Sequence, residues 1–136
     1  MKTKELNPEE NNNRNKLKAS KPYVYEKILK LEEKYRKGES IAIIQFQYNY
    51  ECNFRCEHCS IKRFQGKENK RSFTIPDVKD LFRQADELGL ARVTITGGEP
   101  LVFRDFDELV AAIDPAKFYV NCDTNGWLLD VKRAKH

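Results

Sequence analysis

Hydrophobic side chains recur with two different spacings along this chain, and the spacing changes several times. Stretches dominated by β-branched and aromatic residues predict strands, whereas apolar residues three and four positions apart predict helices. The predicted strands are residues 41–48, 92–96 and 118–122. The predicted helices after the first strand start near residues 75, 106 and 128. Strands that alternate with helices in this order indicate an α/β fold with parallel strands and right-handed crossovers.

Cap and turn residues predict where the helices begin and end. Thr74 followed three positions later by Asp77 predicts a capping box, and Gly89 predicts the end of that helix after an apolar stripe that includes Leu88. The stripe of the next helix stops before an Asp-Pro pair at 114–115. These signals place a turn immediately before the second and third strands.

Two segments precede the first strand. Residues 1–19 are polar and predict a flexible leader, because they have too little apolar surface to order themselves. Residues 20–39 predict a helix that Ser20 caps and Gly38 ends. Its apolar face should dock outside the sheet and contains Val24, Ile28, Leu31 and Tyr35. Residues 40–136 then form the predicted core domain.

Composition and charge exclude several classes of function. Of 136 residues, 40% are hydrophobic and 11% aromatic, which suffices for a globular core. Residues 1–37 hold 11 Lys and Arg against 6 Glu, so the rest carries 14 basic against 15 acidic residues. Since no aromatic stacking pattern accompanies the basic excess, it indicates a solvated helix face rather than a nucleic-acid arm. No apolar run approaches the roughly 20 residues that span a bilayer, and no signal core is present, so we expect a cytoplasmic protein without a membrane segment.

Three cysteines are crowded into eight residues directly after the first strand. Cys52, Cys56 and Cys59 are too close and odd in number for a disulfide framework, and they suit a reducing compartment. Soft thiolates select zinc, copper(I) or iron–sulfur clusters, so the spacing alone leaves zinc and iron–sulfur both open. Cys122 stands alone inside the third strand and predicts a small buried hydrophobe.

The two following strands also end in distinctive residues. Gly97-Gly98-Glu99-Pro100 follows the second strand, and Thr124-Asn125-Gly126 follows the third. Carboxyl ends of parallel strands meet at one edge of a sheet, which is where such folds place their sites. Gly-Gly and Asn-Gly are also ordinary turn signals, so each stretch by itself fits a plain turn.

Together and in this order, the three stretches resemble the radical S-adenosylmethionine (radical SAM) enzymes. The resemblance implies a partial (β/α)6 TIM-like barrel of the radical SAM type, of which this chain would supply only the first three β/α units. It implies that the cysteines hold three irons of a [4Fe-4S] cluster and that the fourth iron chelates S-adenosylmethionine. Reductive cleavage of S-adenosylmethionine to a 5′-deoxyadenosyl radical would then allow hydrogen abstraction from a substrate.

The resemblance also implies roles for individual residues. Glu99 would accept a hydrogen bond from the ammonium group of S-adenosylmethionine, and His58 would pack against adenine or the cluster. Phe54 would shield the cluster. The implied cofactor-binding residues are Gly97, Gly98, Glu99, Pro100, Thr124, Asn125 and His58, and the implied metal ligands are Cys52, Cys56 and Cys59.

Partners and substrate are expectations of the same kind. The family implies an external electron donor such as flavodoxin or ferredoxin. The segment before the first strand leaves room for a docking element, which favours a peptide or protein substrate. The alternative is a zinc-stabilised binding module without redox chemistry, in which His58 or Cys122 completes a tetrahedral site with the three clustered cysteines.

Overall fold

The computed structural model describes residues 7–39, 43–64 and 73–135. The strands are β1 (Ile44–Gln47), β2 (Arg92–Thr96) and β3 (Tyr119–Cys122). The helices are α1 (Pro8–Ser20), α2 (Pro22–Lys37), α3 (Ile75–Glu87), α4 (Phe106–Ile113) and α5 (Val131–Lys135), and there are short 3-10 helices at Lys62–Phe64 and Pro100–Val102. None of these described helices is long and apolar enough to cross a membrane.

The three strands form one parallel sheet in the order β1-β2-β3, which confirms the predicted α/β class. Phe46 pairs with Ile95, which in turn pairs with Cys122, so these three side chains share one face of the sheet. The described part of the first strand is shorter than predicted: Ile41 lies outside the described residues, and Ile43 is exposed before β1 begins.

Helices α3 and α4 cover one face of the sheet, and the main core lies between these helices and the sheet. Val93 and Ile95 on the central strand have no exposed surface. The ring of Phe82 contacts Phe46 edge-on at 5.6 Å and Phe118 at 5.3 Å between ring centroids. The opposite face carries polar side chains at the alternate positions, namely Gln45, Gln47, Thr94, Thr96 and Asn121.

The predicted boundaries of α3 and α4 are confirmed, with one correction. The Thr74 side chain accepts a hydrogen bond from the Asp77 amide, and the Asp77 carboxylate accepts one from the Thr74 amide, as a capping box requires. Gly89 follows with a φ of 75°, and Asp114 ends α4 with a φ of 65°. Leu88 was expected on the apolar stripe but is 74% exposed, because it lies one residue beyond the last turn and points outward.

The predicted flexible leader is helical from Pro8 onward; residues 1–6 lie outside the described part. The Asn7 side chain caps the helix by accepting a hydrogen bond from the Glu10 amide at 2.8 Å. Arg14 then reaches across to α2 and donates to both carboxylate oxygens of Glu32, at 2.6 and 3.1 Å. Helix α1 has no fully buried residue, and it is held by a cap, a bidentate ion pair and the packing of half-buried Leu17 on the cluster that contains Val24 and Ile28. Ser20 ends α1, and its hydroxyl donates to a carbonyl of that helix, so it does not cap α2 as predicted.

Helix α2 docks at the amino end of the sheet through a buried lysine. Val24 and Ile28 pack on Ala91, which directly precedes β2. Between them lies Lys27, only 4% exposed, with its ammonium group 4.1 Å from the centre of the Phe118 ring. The same ammonium donates to the Asp86 carboxylate and to the Lys117 carbonyl, at 2.9 Å each. The helical stripe through Val24 and Ile28 includes position 27, which is why this lysine faces the core.

Replacement of Lys27 by methionine should destabilise the protein. Methionine can fill the apolar space, but among the described residues it leaves Asp86 with Tyr23 and Lys117 as partners. We therefore expect a loss of about 1–3 kcal/mol in the free energy of unfolding. Urea denaturation measures it. Lys37→Met, at the exposed end of the same helix, should leave the midpoint unchanged. Equal shifts in both variants would show that the buried ion pair does not hold α2.

The same ion pair predicts a pH dependence. Burial raises the pKa of Asp86, but the hydrogen bonds from Lys27 and Tyr23 outweigh it and hold that pKa below its ordinary value. The stabilisation is therefore complete above the ordinary carboxyl pKa of about 3.9 and is lost as the pH falls through the lower value in the folded protein. In Lys27→Met this acid-dependent part of the stability should shrink.

Candidate cofactor site

The three predicted motifs lie at the carboxyl ends of the three strands, and we call this end of the sheet the motif edge. The cysteine loop (52–59) follows β1, residues 97–100 follow β2, and the 124–127 loop follows β3. Since the strands are parallel and neighbours in the sheet, these loops are adjacent, as the sequence predicted. Helices α1 and α2 dock at the opposite, amino end of the strands.

Gly97 and Gly98 let the end of β2 lie against the stem of the cysteine loop, residues 48–51. The Gly98 amide donates to the Asn49 carbonyl at 3.1 Å, and the Glu99 amide donates to the Glu51 carbonyl at 2.7 Å. A Cβ atom on Gly98 would lie 1.8 Å from the Glu51 carbonyl oxygen, and one on Gly97 would lie 2.3 Å from that of Asn49. The glycines are therefore required for backbone contact with this stem, a reason that the sequence did not reveal.

Tyr48 fixes the same stem from the helix side of the sheet. Its ring is buried and packs on Phe103 at 5.6 Å between ring centroids. Its hydroxyl donates to the carboxylate of Asp105, the residue that precedes α4. Burial, followed by this hydrogen bond, raises the pKa of Tyr48 to about 12, so the hydroxyl stays protonated as a donor. The cysteine loop is thus anchored on both sides of its stem.

The carboxylate of Glu99 is 1% exposed and ties the end of β2 to the end of β3. One oxygen, Oε1, accepts hydrogen bonds from the Leu101 amide at 3.0 Å and from the Thr124 hydroxyl at 2.6 Å. The other, Oε2, accepts from the Asn125 amide at 2.7 Å. A carboxylate has about four acceptor positions, so donors among the described residues occupy three of them and leave one on Oε2. Pro100 is buried at the start of the short 3-10 helix that follows.

The 124–127 loop is tied in turn to the cysteine loop. The side-chain amide of Asn125 donates to Asn53 Oδ1 at 2.9 Å. The ring of Trp127 contacts the ring of Phe54 edge-on, with 6.0 Å between centroids. Neither Asn53 nor Trp127 was identified from the sequence. The only available signal was position, since each lies within or beside a motif.

The thiols of the cysteine loop are free and are not gathered in this structure. Cys52 and Cys59 are half-buried and Cys56 is exposed. The Cys52 sulfur accepts a hydrogen bond from the Phe54 amide at 3.3 Å, and His58 is exposed beside Cys59. Within residues 7–39, 43–64 and 73–135, no three His, Cys, Asp or Glu side chains lie close enough together to hold a metal ion.

Cys122 differs from the prediction of a buried hydrophobe. It is exposed because β3 is an edge strand of the described sheet. Partial burial of its thiol, followed by the nearby carboxylates of Glu99 and Asp123, nevertheless raises the pKa of Cys122 to about 11. A thiol that keeps its proton at neutral pH is a poor metal ligand. Cys122 also differs from the three loop cysteines in position, because it lies on β3 and not in the loop.

Comparison of the sequence with protein families assigns this arrangement of a parallel sheet and three motifs to a known family. The family model of the Radical SAM superfamily matches residues 47–136. This range contains the last residue of β1, the strands β2 and β3, and all three motifs. The chain belongs to the radical SAM superfamily. Proteins of this family use a [4Fe-4S] cluster and S-adenosylmethionine, and they generally need an electron donor.

Individual relatives are enzymes named for GTP. The chain is 32% identical over 94 residues to GTP 3′,8-cyclase of Stenotrophomonas maltophilia and 37% identical over 92 residues to probable GTP 3′,8-cyclase of Pyrobaculum aerophilum. Each alignment covers 68% of this chain and 29% of the relative, so the chain spans less than a third of these proteins. GTP 3′,8-cyclase of Klebsiella pneumoniae is 39% identical over 88 residues, with 60% of this chain and 27% of the relative covered.

A solved structure shares the fold. The crystal structure of Streptococcus suis SuiB superposes with a TM-score of 0.54 at 25% sequence identity, and the match covers 68% of this chain and 20% of SuiB. Family and fold comparisons thus agree on the class that the motifs predicted. The relatives' names give no support to the predicted peptide substrate.

Proposed function

We propose that this chain forms the cofactor-binding part of a radical SAM enzyme. Cys52, Cys56 and Cys59 would hold a [4Fe-4S] cluster, and the neighbouring ends of β2 and β3 would bind S-adenosylmethionine. The carrying observation is that three motifs separated in sequence are joined by hydrogen bonds at one edge of a parallel sheet. We further propose that the sheet and its helices are the first three units of a partial (β/α)6 TIM-like barrel, with the amino-terminal helices outside it.

The donor set fits the cluster in type and in number. Three thiolates match three irons of a four-iron cluster and leave the fourth iron open for another ligand. Gathering of the thiols would accompany binding, since no three metal-ligating side chains lie together in the described residues and the binding free energy is available to order them. When bound, the cluster and S-adenosylmethionine would supply the reductive generation of an organic radical that abstracts hydrogen from a substrate.

The chain's own residues would bind and orient the cofactor. The remaining acceptor position on Glu99 Oε2 suits the ammonium group of S-adenosylmethionine, provided that the cofactor reaches beneath the 124–127 loop. Within the part of the chain that the structure describes, the Asn125 side-chain amide uses one N–H on Asn53, and its second N–H would bond to the carboxylate or ribose. Thr124 would hold this loop in place through Glu99, and Gly97, Gly98 and Pro100 would fix the turn. His58 would pack against adenine or the cluster.

Electron supply, location and substrate complete the proposal. A small reduced protein such as a flavodoxin or ferredoxin would donate the electron, and the four free cysteines suit the cytoplasm. The predicted peptide substrate rested on room for docking before β1. That segment forms helices α1 and α2, which lie at the amino ends of the strands, away from the motifs. A nucleotide, the class in the relatives' names, is therefore the second candidate substrate.

Anaerobic reconstitution with iron and sulfide tests the proposal against the zinc alternative. The radical SAM reading predicts a coloured protein with broad visible absorption, close to four irons per chain, and a spectrum of the reduced cluster that changes when S-adenosylmethionine is added. The zinc reading predicts a colourless protein with stoichiometric zinc bound through the three thiols and His58 or Cys122. A colourless zinc protein would overturn the proposal.

Glu99→Gln should separate cluster assembly from cofactor binding. The amide keeps the size and one acceptor oxygen but removes the negative charge, so the cluster should form while S-adenosylmethionine binds about 10- to 100-fold more weakly, the equivalent of about 1.5–3 kcal/mol. Titration of the cofactor against the spectrum of the reduced cluster measures this. Glu57→Gln, an exposed carboxylate inside the cysteine loop, is the control for net charge. If Glu99→Gln and Glu57→Gln bind the cofactor equally well, Glu99 does not contact the ammonium group.

A further inference from the structure

Two neighbouring residues of the cysteine loop contact two residues of the 124–127 loop. Asn53 accepts the hydrogen bond from the Asn125 side chain, and Phe54 packs against Trp127. Both contacts come from the arc between Cys52 and Cys56. Cys52 is half-buried and Cys56 is exposed, and within the described residues they do not form a group of three metal-ligating side chains with Cys59. Binding of one metal site by all three loop thiols therefore requires at least one of them to move, and Cys52 and Cys56 flank the arc that carries these contacts.

The 124–127 loop, which forms the other side of these contacts, is held in place by hydrogen bonds to a buried residue. The Asn125 backbone amide and the Thr124 hydroxyl both bond to the Glu99 carboxylate, which is 1% exposed. Asn125 also turns back on its own loop, because its side-chain oxygen accepts from the Trp127 amide at 3.0 Å. The segment that carries Asn125 and Trp127 is thus held to β2 by a buried carboxylate while its outer side chains reach the cysteine loop.

We propose that Asn53 and Phe54 are positioning residues that couple the arrangement of the thiols to the 124–127 loop. This inference rests on the proposed function, since it assumes that the three thiols bind metal. Movement of the arc on metal binding displaces the partners of Asn125 and Trp127. By linkage, a loop held in place by Glu99 favours one arrangement of the arc and so changes the affinity of the thiols for metal.

The only tryptophan of the chain makes the coupling measurable without a loaded enzyme. Titration of the reduced 136-residue chain with Cd²⁺ alone gives two signals. Near-ultraviolet thiolate-to-metal absorption reports on the cysteine loop, and Trp127 emission reports on the 124–127 loop. Cd²⁺ is suitable because it is soft, prefers thiolates and has no absorption of its own in the region of tryptophan emission. In the parent, we expect both signals to change together and to saturate at the same Cd²⁺ concentration.

The double variant Asn53→Ala/Phe54→Leu separates the two signals. Both side chains are exposed, so the fold should persist, which circular dichroism checks. The thiolate absorption should still saturate, with an affinity within about tenfold of the parent, whereas Trp127 emission should lose most of its response. Asn53→Asp/Phe54→Tyr keeps the acceptor oxygen and the ring and should restore the response. Phe73→Leu, which alters a ring of similar exposure that packs on Phe46, should behave like the parent.

The outcomes distinguish this inference from the proposed function. Absorption that saturates in the parent while Trp127 emission stays constant would overturn the coupling alone. A full emission response in Asn53→Ala/Phe54→Leu would overturn it as well, since the contacts would then not transmit the change. Absence of thiolate absorption in the parent would overturn the thiol site and the coupling together. Loss of the response in the double variant with its return in the conservative variant supports the proposal.

Discussion

Alanine at any one of Cys52, Cys56 and Cys59 is expected to abolish the loading of a [4Fe-4S] cluster. With three protein thiolates around a four-iron cluster there is no spare ligand, so the loss of one leaves two irons without a protein ligand. The alternative donors in the loop do not help. His58 is adjacent in sequence to Cys59 and exposed, and no fourth thiol lies in the loop. Iron and sulfide content after anaerobic reconstitution measures the effect as a complete loss.

Cys122→Ala is the matched control for that series. Cys122 lies on β3 outside the cysteine loop and shares the face of Ile95, and the pKa of its thiol is raised to about 11. The variant should load iron and sulfide like the parent. A full cluster in any variant of the loop cysteines, or its loss in Cys122→Ala, would show that the metal ligands are wrongly assigned.

The sequence predicted the elements whose causes are local. The Thr74 capping box depends on residues three positions apart, and the strand and helix stripes depend on spacings of two and of three to four residues. The convergence of the motifs at one edge followed from a rule of parallel sheets. For this reason the sheet, α3, α4 and the position of the candidate site were all predictable.

What the sequence did not predict depends on partners that are distant along the chain. Helix α1 is stabilised by Arg14 on Glu32, 18 residues away, so a segment with little apolar surface still forms a helix. Lys27 is buried because Asp86, 59 residues away, and Lys117 satisfy its charge and hydrogen bonds. The composition of α1 and α2 predicts exposed residues at these positions, because composition contains no information about ion pairs between distant residues.

The candidate site shows the same division at the level of single residues. The motif predicted Glu99 as a site residue, but its place beneath the 124–127 loop follows from contacts with Thr124 and Asn125, 25 and 26 residues later. Asn53 and Trp127 belong to no recognised pattern and become visible only where two loops meet. A motif therefore predicts which residues gather, while the structure determines which atoms remain available to a cofactor.

Gly98→Ala is expected to be the most destabilising single methyl addition at the motif edge. The added Cβ would lie 1.8 Å from the Glu51 carbonyl oxygen and 2.8 Å from the Tyr50 carbonyl carbon, both backbone atoms. Because no flexible side chain can move aside, the stem of the cysteine loop must shift and lose the hydrogen bonds from the Gly98 and Glu99 amides. We expect a loss of more than about 3 kcal/mol in the free energy of unfolding, above the usual cost of overpacking.

Gly126→Ala in the 124–127 loop separates this clash from backbone strain. Gly126 has a φ of 74° and open space around the position of a Cβ, so alanine should cost only about 1–2 kcal/mol, the price of a left-handed conformation. Urea denaturation of both variants gives the comparison. Cd²⁺ titration adds a second, since a displaced stem should weaken thiolate binding in Gly98→Ala more than in Gly126→Ala. If the two variants lose equal stability and bind Cd²⁺ equally well, then close packing of β2 on the stem does not hold the cysteine loop in place.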